Sequence, residues 1–153
     1  MYYEILTKLQ TELNNDALVN TVSSGDIFDV DLSKQTIFPL CHIIVNSATF
    51  VDNVIQYNIS ILSMDVVDVS KDETADKFRG NDNEQDVLNT QINILNRLYE
   101  KLRRGNLYDD NYQVDGTPNL EIFVDRFENK LAGWTMTVNI NTPNVMTVCD
   151  VWN

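Results

Sequence analysis

The chain has 153 residues, of which 43% are hydrophobic and 22% are charged. These values are typical of one ordinary globular domain, so we expect residues 1–153 to form a single structural domain. The 23 acidic residues outnumber the 11 Lys and Arg residues, and the formal net charge is −12. A surface this negative repels phosphate groups, which excludes broad electrostatic binding to nucleic acid and favours basic partners.

The sequence also argues against secretion and membrane insertion. The N-terminal residues show no basic segment followed by an apolar one, so we expect no signal peptide. No run approaches the roughly 20 apolar residues of a membrane span. Cys41 and Cys149 are the only cysteines, too few and too far apart for the disulfide framework of a secreted domain. We therefore predict two unpaired thiols in a chain that is made and assembled in the cytoplasm.

The first third of the chain predicts a short helix followed by extended segments. Apolar residues at three- and four-residue steps predict an amphipathic helix over residues 2–14; they are Ile5, Leu6, Leu9 and Leu13. Apolar and polar side chains alternate loosely over residues 18–24, which predicts a strand. The residues at its end have the composition of a turn. Side chains alternate with a period of two over residues 27–32, and one of the two sets is acidic. This pattern predicts a second strand or an extended arm with one acidic face.

The clearest strand signal lies in the middle of the chain. A compact apolar run at residues 40–45 follows Pro39, and residues 46–49 have the composition of a turn or bulge. Side chains then alternate from residue 51 to residue 69, which predicts one strand longer than most strands of globular proteins. A strand of that length is expected to project from its domain and pair with a neighbour.

A long helix and a hairpin are predicted after a polar loop at residues 70–83. Acidic residues begin the segment 84–104, two arginines end it and Gly105 follows, as expected for a helix. Its predicted buried stripe consists of Leu88, Ile92, Leu95, Tyr99 and Leu102. Residues 106–119 are expected to form a polar loop, and residues 120–127 and 132–140 the two strands of a hairpin. This order favours an α+β fold: a mostly antiparallel sheet with the long helix on one face and a shorter N-terminal helix.

No catalytic, cofactor-binding or metal-binding residues stand out. His42 is the only histidine, so no two-histidine metal site is available. It lies between Cys41 and Ile43 in an apolar run, so it is interpreted as structural and not as a member of a catalytic triad. Residues 109–116 superficially resemble a calcium loop but lack Gly and Glu at the required positions. There is no phosphate-binding glycine loop and no CxxC motif. We therefore expect a protein that is not an enzyme and that uses no cofactor.

Three stretches resemble neck and tail-completion proteins of tailed bacteriophages, in particular those of crAss-like phages. They are GDIFDVD at residues 25–31 leading into TIFPLCHIIV at residues 36–45, YNISILSMDVVD at residues 57–68, and GWTMTVNINTPN at residues 133–144. The segment order over nearly the whole chain from Gly25 is similar to that of tail terminator and head–tail connector proteins. The resemblance implies a tail-terminator-like α+β fold.

The resemblance further implies a structural virion protein without catalysis. Six or twelve copies would form a ring in the neck or tail, assembled in the bacterial cytoplasm, around the channel through which DNA passes without specific binding. Portal-side and tail-side proteins would lie above and below. We expect these neighbours to be contacted through two polar loops, by Lys71, Lys77, Phe78, Arg79, Tyr108 and Tyr112.

One alternative from a different functional class stays open on the sequence. An acidic cytosolic module that binds a basic protein, for example as a nucleic-acid mimic, would also be small, negative and without an active site. The state of assembly separates the two hypotheses, because a ring protein associates with itself and a mimic does not need to.

Overall fold

The computed structural model describes residues 2–26, 37–68, 83–126 and 130–144. Five strands and three helices lie within these ranges. They are, in chain order, α1 (Tyr2–Asn14), β1 (Thr21–Ser24), β2 (Leu40–Val51), β3 (Val54–Val66), α2 (Glu84–Arg104), α3 (Asn106–Asp109), β4 (Gln113–Arg126) and β5 (Lys130–Pro143). The predicted arm at residues 27–32 and the loop at residues 70–82 lie outside the described residues.

The five strands form one sheet in the order β1-β2-β3-β5-β4. Only the β1–β2 pair among them is parallel; β2–β3, β3–β5 and β4–β5 are antiparallel. The prediction of an α+β fold with a mostly antiparallel sheet, one long helix and a shorter N-terminal helix is therefore confirmed. β5 lies between β3 and β4, so the two C-terminal strands join the sheet beside the central β3.

Alternation along β3 divides the sheet into two different faces. Ile55, Tyr57, Ile59 and Ile61 are buried on the side that we call the helix face, because they belong to the same core cluster as the apolar residues of α1 and α2. The intervening residues point to the opposite face and are mostly half-buried. This period of two matches the alternation read from the sequence.

The long helix has the predicted bounds, but its buried stripe is wider than predicted. Leu88, Leu95 and Leu102 are buried as expected, whereas Ile92 and Tyr99 are only half-buried. The helix also buries Val87, Gln91, Ile94 and Leu98. Because Ile94 and Leu98 extend the apolar stripe to one side, α2 presents that wider surface to the sheet and leaves Ile92 and Tyr99 at its border.

The long strand predicted over residues 51–69 is shorter in the structure, where β3 runs from Val54 to Val66. The chain turns at Asp52 and Asn53, and β2 and β3 form a hairpin on either side of that turn. Asp52 has φ 50°, a left-handed conformation that Asp tolerates better than most residues. The segment 46–49 is not a turn; it lies within β2, which has a bulge between Val45 and Ser47.

The segment 106–119 is also more ordered than predicted. Its first residues form the one-turn helix α3, and β4 begins at Gln113 rather than near residue 120. A register shift between Asp115 and Asn119 interrupts the β4–β5 ladder. Gly116 in this bulge has φ 77°, so the turn composition that suggested a loop reflects a break inside a strand.

Candidate interaction surfaces

Polar side chains on the opposite face of the sheet are linked by hydrogen bonds across four strands, β2, β3, β5 and β4. The Asn46 amide donates to Asn58 Oδ1 at 2.9 Å, and the Asn58 amide donates to Asn139 Oδ1 at 2.8 Å. The Gln56 amide donates to Asp115 and, at 3.1 Å, to Asn141 Oδ1. These groups satisfy one another, so the network ties the strands together and leaves few polar groups in need of a ligand.

A second polar group is buried within the helix face. The Cys41 thiol donates to Ser63 Oγ at 3.6 Å, and Ser63 Oγ donates to Gln91 Oε1 at 2.6 Å. Burial raises the pKa of the Cys41 thiol to about 11, so it stays protonated at neutral pH and is a poor nucleophile. The Cys41–Ser63–Gln91 group therefore connects β2, β3 and α2 structurally and does not form a thiol active site.

His42 is fully buried and fixes β1 against β2. Its Nε2 donates to the Gly25 carbonyl oxygen at 2.7 Å, and its Nδ1 lies 2.6 Å from Ser23 Oγ. Ser23 is paired with His42 in the parallel β1–β2 ladder. Both ring nitrogens are engaged by this local pairing, which agrees with the structural role predicted from the sequence.

Two large apolar side chains protrude at the end of the β2–β3 hairpin. Phe50 is 78% exposed and Val51 is 49% exposed. Every residue from 46 to 53 is exposed, so the second half of β2 and the turn are uncovered, whereas the paired residues Ile55 and Tyr57 on β3 are buried. We call Phe50, Val51 and Asp52 the hairpin tip. Aromatic residues with this exposure are enriched at protein interfaces.

An apolar groove of about 390 Å³ lies between α2 and β4. Buried Leu95 and Met136 form its floor, and the half-buried Ile92, Tyr99 and Leu120 form its walls. We call this feature the α2–β4 groove. None of the described residues that line it is charged. The sequence does not predict this groove. Ile92 and Tyr99 have the spacing of buried core residues, and only the structure shows that they line a groove beside the β4 bulge.

β4 leaves further apolar surface uncovered beside this groove. It lies at the edge of the sheet, with no strand on its outer side among the described residues. Ile122 is 55% exposed and Val124 is 42% exposed, although both belong to the helix face. An uncovered edge strand with apolar side chains is a site for pairing with another chain or for aggregation.

Six residues of two polar loops were predicted to contact neighbouring proteins, and two of them lie within the described residues. Tyr108 on α3 is 45% exposed and is available to a partner. Tyr112 is 8% exposed and packs in the main core, so its aromatic ring is not on the surface. The other four residues, Lys71, Lys77, Phe78 and Arg79, lie outside the described residues.

The described residues show neither a metal-binding cluster nor a membrane-spanning helix. Within residues 2–26, 37–68, 83–126 and 130–144, no cluster of three His, Cys, Asp or Glu side chains is arranged to hold a metal ion. No helix in these ranges is both long enough and apolar enough to cross a bilayer. The chain matches no protein-family model and no curated protein.

Proposed function

We propose that this protein is a structural subunit of a homo-oligomeric ring in the neck or tail of a tailed bacteriophage. The ring surrounds the DNA channel and connects portal-side with tail-side proteins. The proposal rests on the resemblance of the sequence to phage neck and tail-completion proteins, and it is supported by the α+β fold and by the distribution of exposed apolar residues.

One observation carries the proposal furthest. Among the described residues, besides Tyr2, Tyr3 and Leu18 near the N-terminus, two apolar surfaces are uncovered on different parts of the sheet, one at the hairpin tip and one along β4 with its neighbouring groove. A ring needs two different surfaces on each subunit, because every copy contacts the next in a head-to-tail manner. A monomeric nucleic-acid mimic needs neither, and it would leave both surfaces exposed to aggregation.

The test is the state of assembly, measured by light scattering over a range of protein concentrations and by negative-stain microscopy. We expect closed rings, and a map of the intact virion should place them in the neck or tail. The double variant Ile122→Lys/Val124→Lys should weaken ring formation, whereas Leu18→Lys, which alters a similarly exposed residue after α1, should not. A chain that stays monomeric and binds a basic DNA-binding protein would instead identify an acidic mimic.

A further inference from the structure

We infer that the hairpin tip of one copy docks into the α2–β4 groove of the next copy. The inference rests on the proposed function in one respect only: it takes the partner to be a second copy of the chain. It adds which two surfaces meet and which residues make the contact.

The hairpin tip is held in place before any partner arrives. β3 pairs with β5 up to its first residue, Val54, and Thr142 Oγ1 donates to the Ile55 carbonyl oxygen at 3.1 Å. Phe50, the Cα partner of Ile55 in the β2–β3 ladder, is therefore presented on a paired strand. A preorganised aromatic side chain loses little conformational freedom on docking, which favours its use as an anchor.

The α2–β4 groove has the properties that an aromatic anchor requires. Its volume of about 390 Å³ lies in the range of pockets that enclose small organic groups. Leu95 and Met136 provide an apolar floor, and Asn93 and Asn96 provide an uncharged rim. In a chain of net charge −12, an uncharged groove is a place where a second copy can approach without strong repulsion.

The charges beside the two surfaces are complementary. Arg103 lies over the Tyr99 ring at the groove, with its guanidinium carbon 5.8 Å from the ring centroid. Arg103 makes no ion pair with the described carboxylates, whereas Lys8, Arg97, Lys101, Arg104 and Lys130 each have one. Asp52 at the hairpin tip is exposed and supplies the carboxylate that Arg103 lacks.

The tip cannot reach the groove of its own chain. Met136 in the groove floor pairs with Ile61, six residues along β3 from Ile55. Six residues of a strand span about 20 Å, and the groove lies on the far side of β5 from the hairpin. The contact must therefore join two copies through different surfaces, and its repetition produces a closed ring or an open filament.

A mixing experiment tests this contact. Phe50→Ser removes the tip anchor but keeps the groove, and Asn96→Glu places a negative charge in the groove but keeps the tip. Each variant alone should be monomeric by native mass spectrometry. An equimolar mixture has one intact tip–groove pair and should form heterodimers and nothing larger. Leu18→Ser serves as the exposed apolar control and should assemble like the wild type, and thermal unfolding checks that every variant is folded.

The outcomes separate this inference from the ring proposal. Rings that form normally with Phe50→Ser overturn the tip–groove contact and leave the ring proposal standing. Heterodimers in the mixture combined with open filaments of the wild type support the contact and overturn the ring. Disulfide cross-linking of the double variant Val51→Cys/Asn96→Cys, absent from either single variant, would support the contact independently of particle shape.

Discussion

The carboxylate of Asp16 accepts two hydrogen bonds from the guanidinium of Arg97, at 2.6 Å from Nε and 3.0 Å from Nη2. Asp16 follows α1 and Arg97 lies on α2, so the pair fixes the two helices relative to each other. Burial opposes ionisation of Asp16, but hydrogen bonds from Arg97 and from the Leu18 backbone outweigh it and lower the pKa of the carboxyl group.

A lowered pKa in the folded protein makes stability depend on pH with a defined sign. The Asp16 contribution is present above the unfolded pKa of about 4 and is lost as pH falls through the lower folded value. Because Arg97 is partly exposed, we expect Asp16→Asn to lower the free energy of unfolding by only about 1 kcal/mol at pH 7. The difference between the variant and the wild type should shrink below pH 4 in urea titrations.

The wider buried stripe of α2 predicts unequal costs for two truncations. Leu95 is fully buried, so Leu95→Ala should lower the free energy of unfolding by about 2–5 kcal/mol. Ile92 lies at the border of the helix face, and Ile92→Ala should cost less than half as much. Denaturant unfolding of both variants measures the difference, and equal losses would contradict the placement of Ile92 at the groove.

Gly133 is required by a close backbone approach. A Cβ atom at this position would lie 2.0 Å from the Ser63 carbonyl oxygen, a contact that only movement of β3 against β5 can relieve. Gly133→Ala should therefore cost about 3 kcal/mol or prevent folding. Gly116→Ala is the matched control, because no described atom lies within 4 Å of a Cβ added there. The positive φ at this position should lower the free energy of unfolding of the alanine variant by only about 1 kcal/mol. Thermal unfolding ranks the two.

The buried thiol of Cys41 should not react with alkylating reagents in the folded protein. Cys41 is unpaired in the structure, as predicted. Cys149 lies outside the described residues, so its free thiol stays a prediction. In a Cys149→Ser chain we expect iodoacetamide to leave Cys41 unmodified under native conditions and to modify it fully in denaturant, as read by mass spectrometry. Rapid native labelling would contradict both its burial and its raised pKa.

Local patterns in the sequence account for most of the elements. The acidic start, the two final arginines and Gly105 predict the bounds of α2 correctly, because the macrodipole and the C-terminal stop are local effects. The alternation along β3 likewise predicts which side chains are buried. The turn at Asp52 and Asn53 was missed although the period of two breaks there: these two polar residues stand between the apolar pairs Phe50-Val51 and Val54-Ile55.

The candidate surfaces could not be predicted from the sequence. Phe50 looks like a core residue of a strand, and only the pairing of the hairpin places it in the uncovered half of β2. The groove depends on the β4 bulge near Gly116, which brings Pro118 and Leu120 opposite Tyr99. Both features arise from long-range pairing, whereas residue spacing reports only on neighbours along the chain.

The position of β5 between β3 and β4 determines the order in which the sheet is completed during synthesis. β4 is synthesised before β5, the strand with which it pairs. One edge of β3 also stays unpaired until β5 has been synthesised. Both strands leave the ribosome with unpaired hydrogen-bonding groups, which other nascent chains can capture. High expression should therefore favour inclusion bodies, and slower synthesis at low temperature should increase the yield of folded protein.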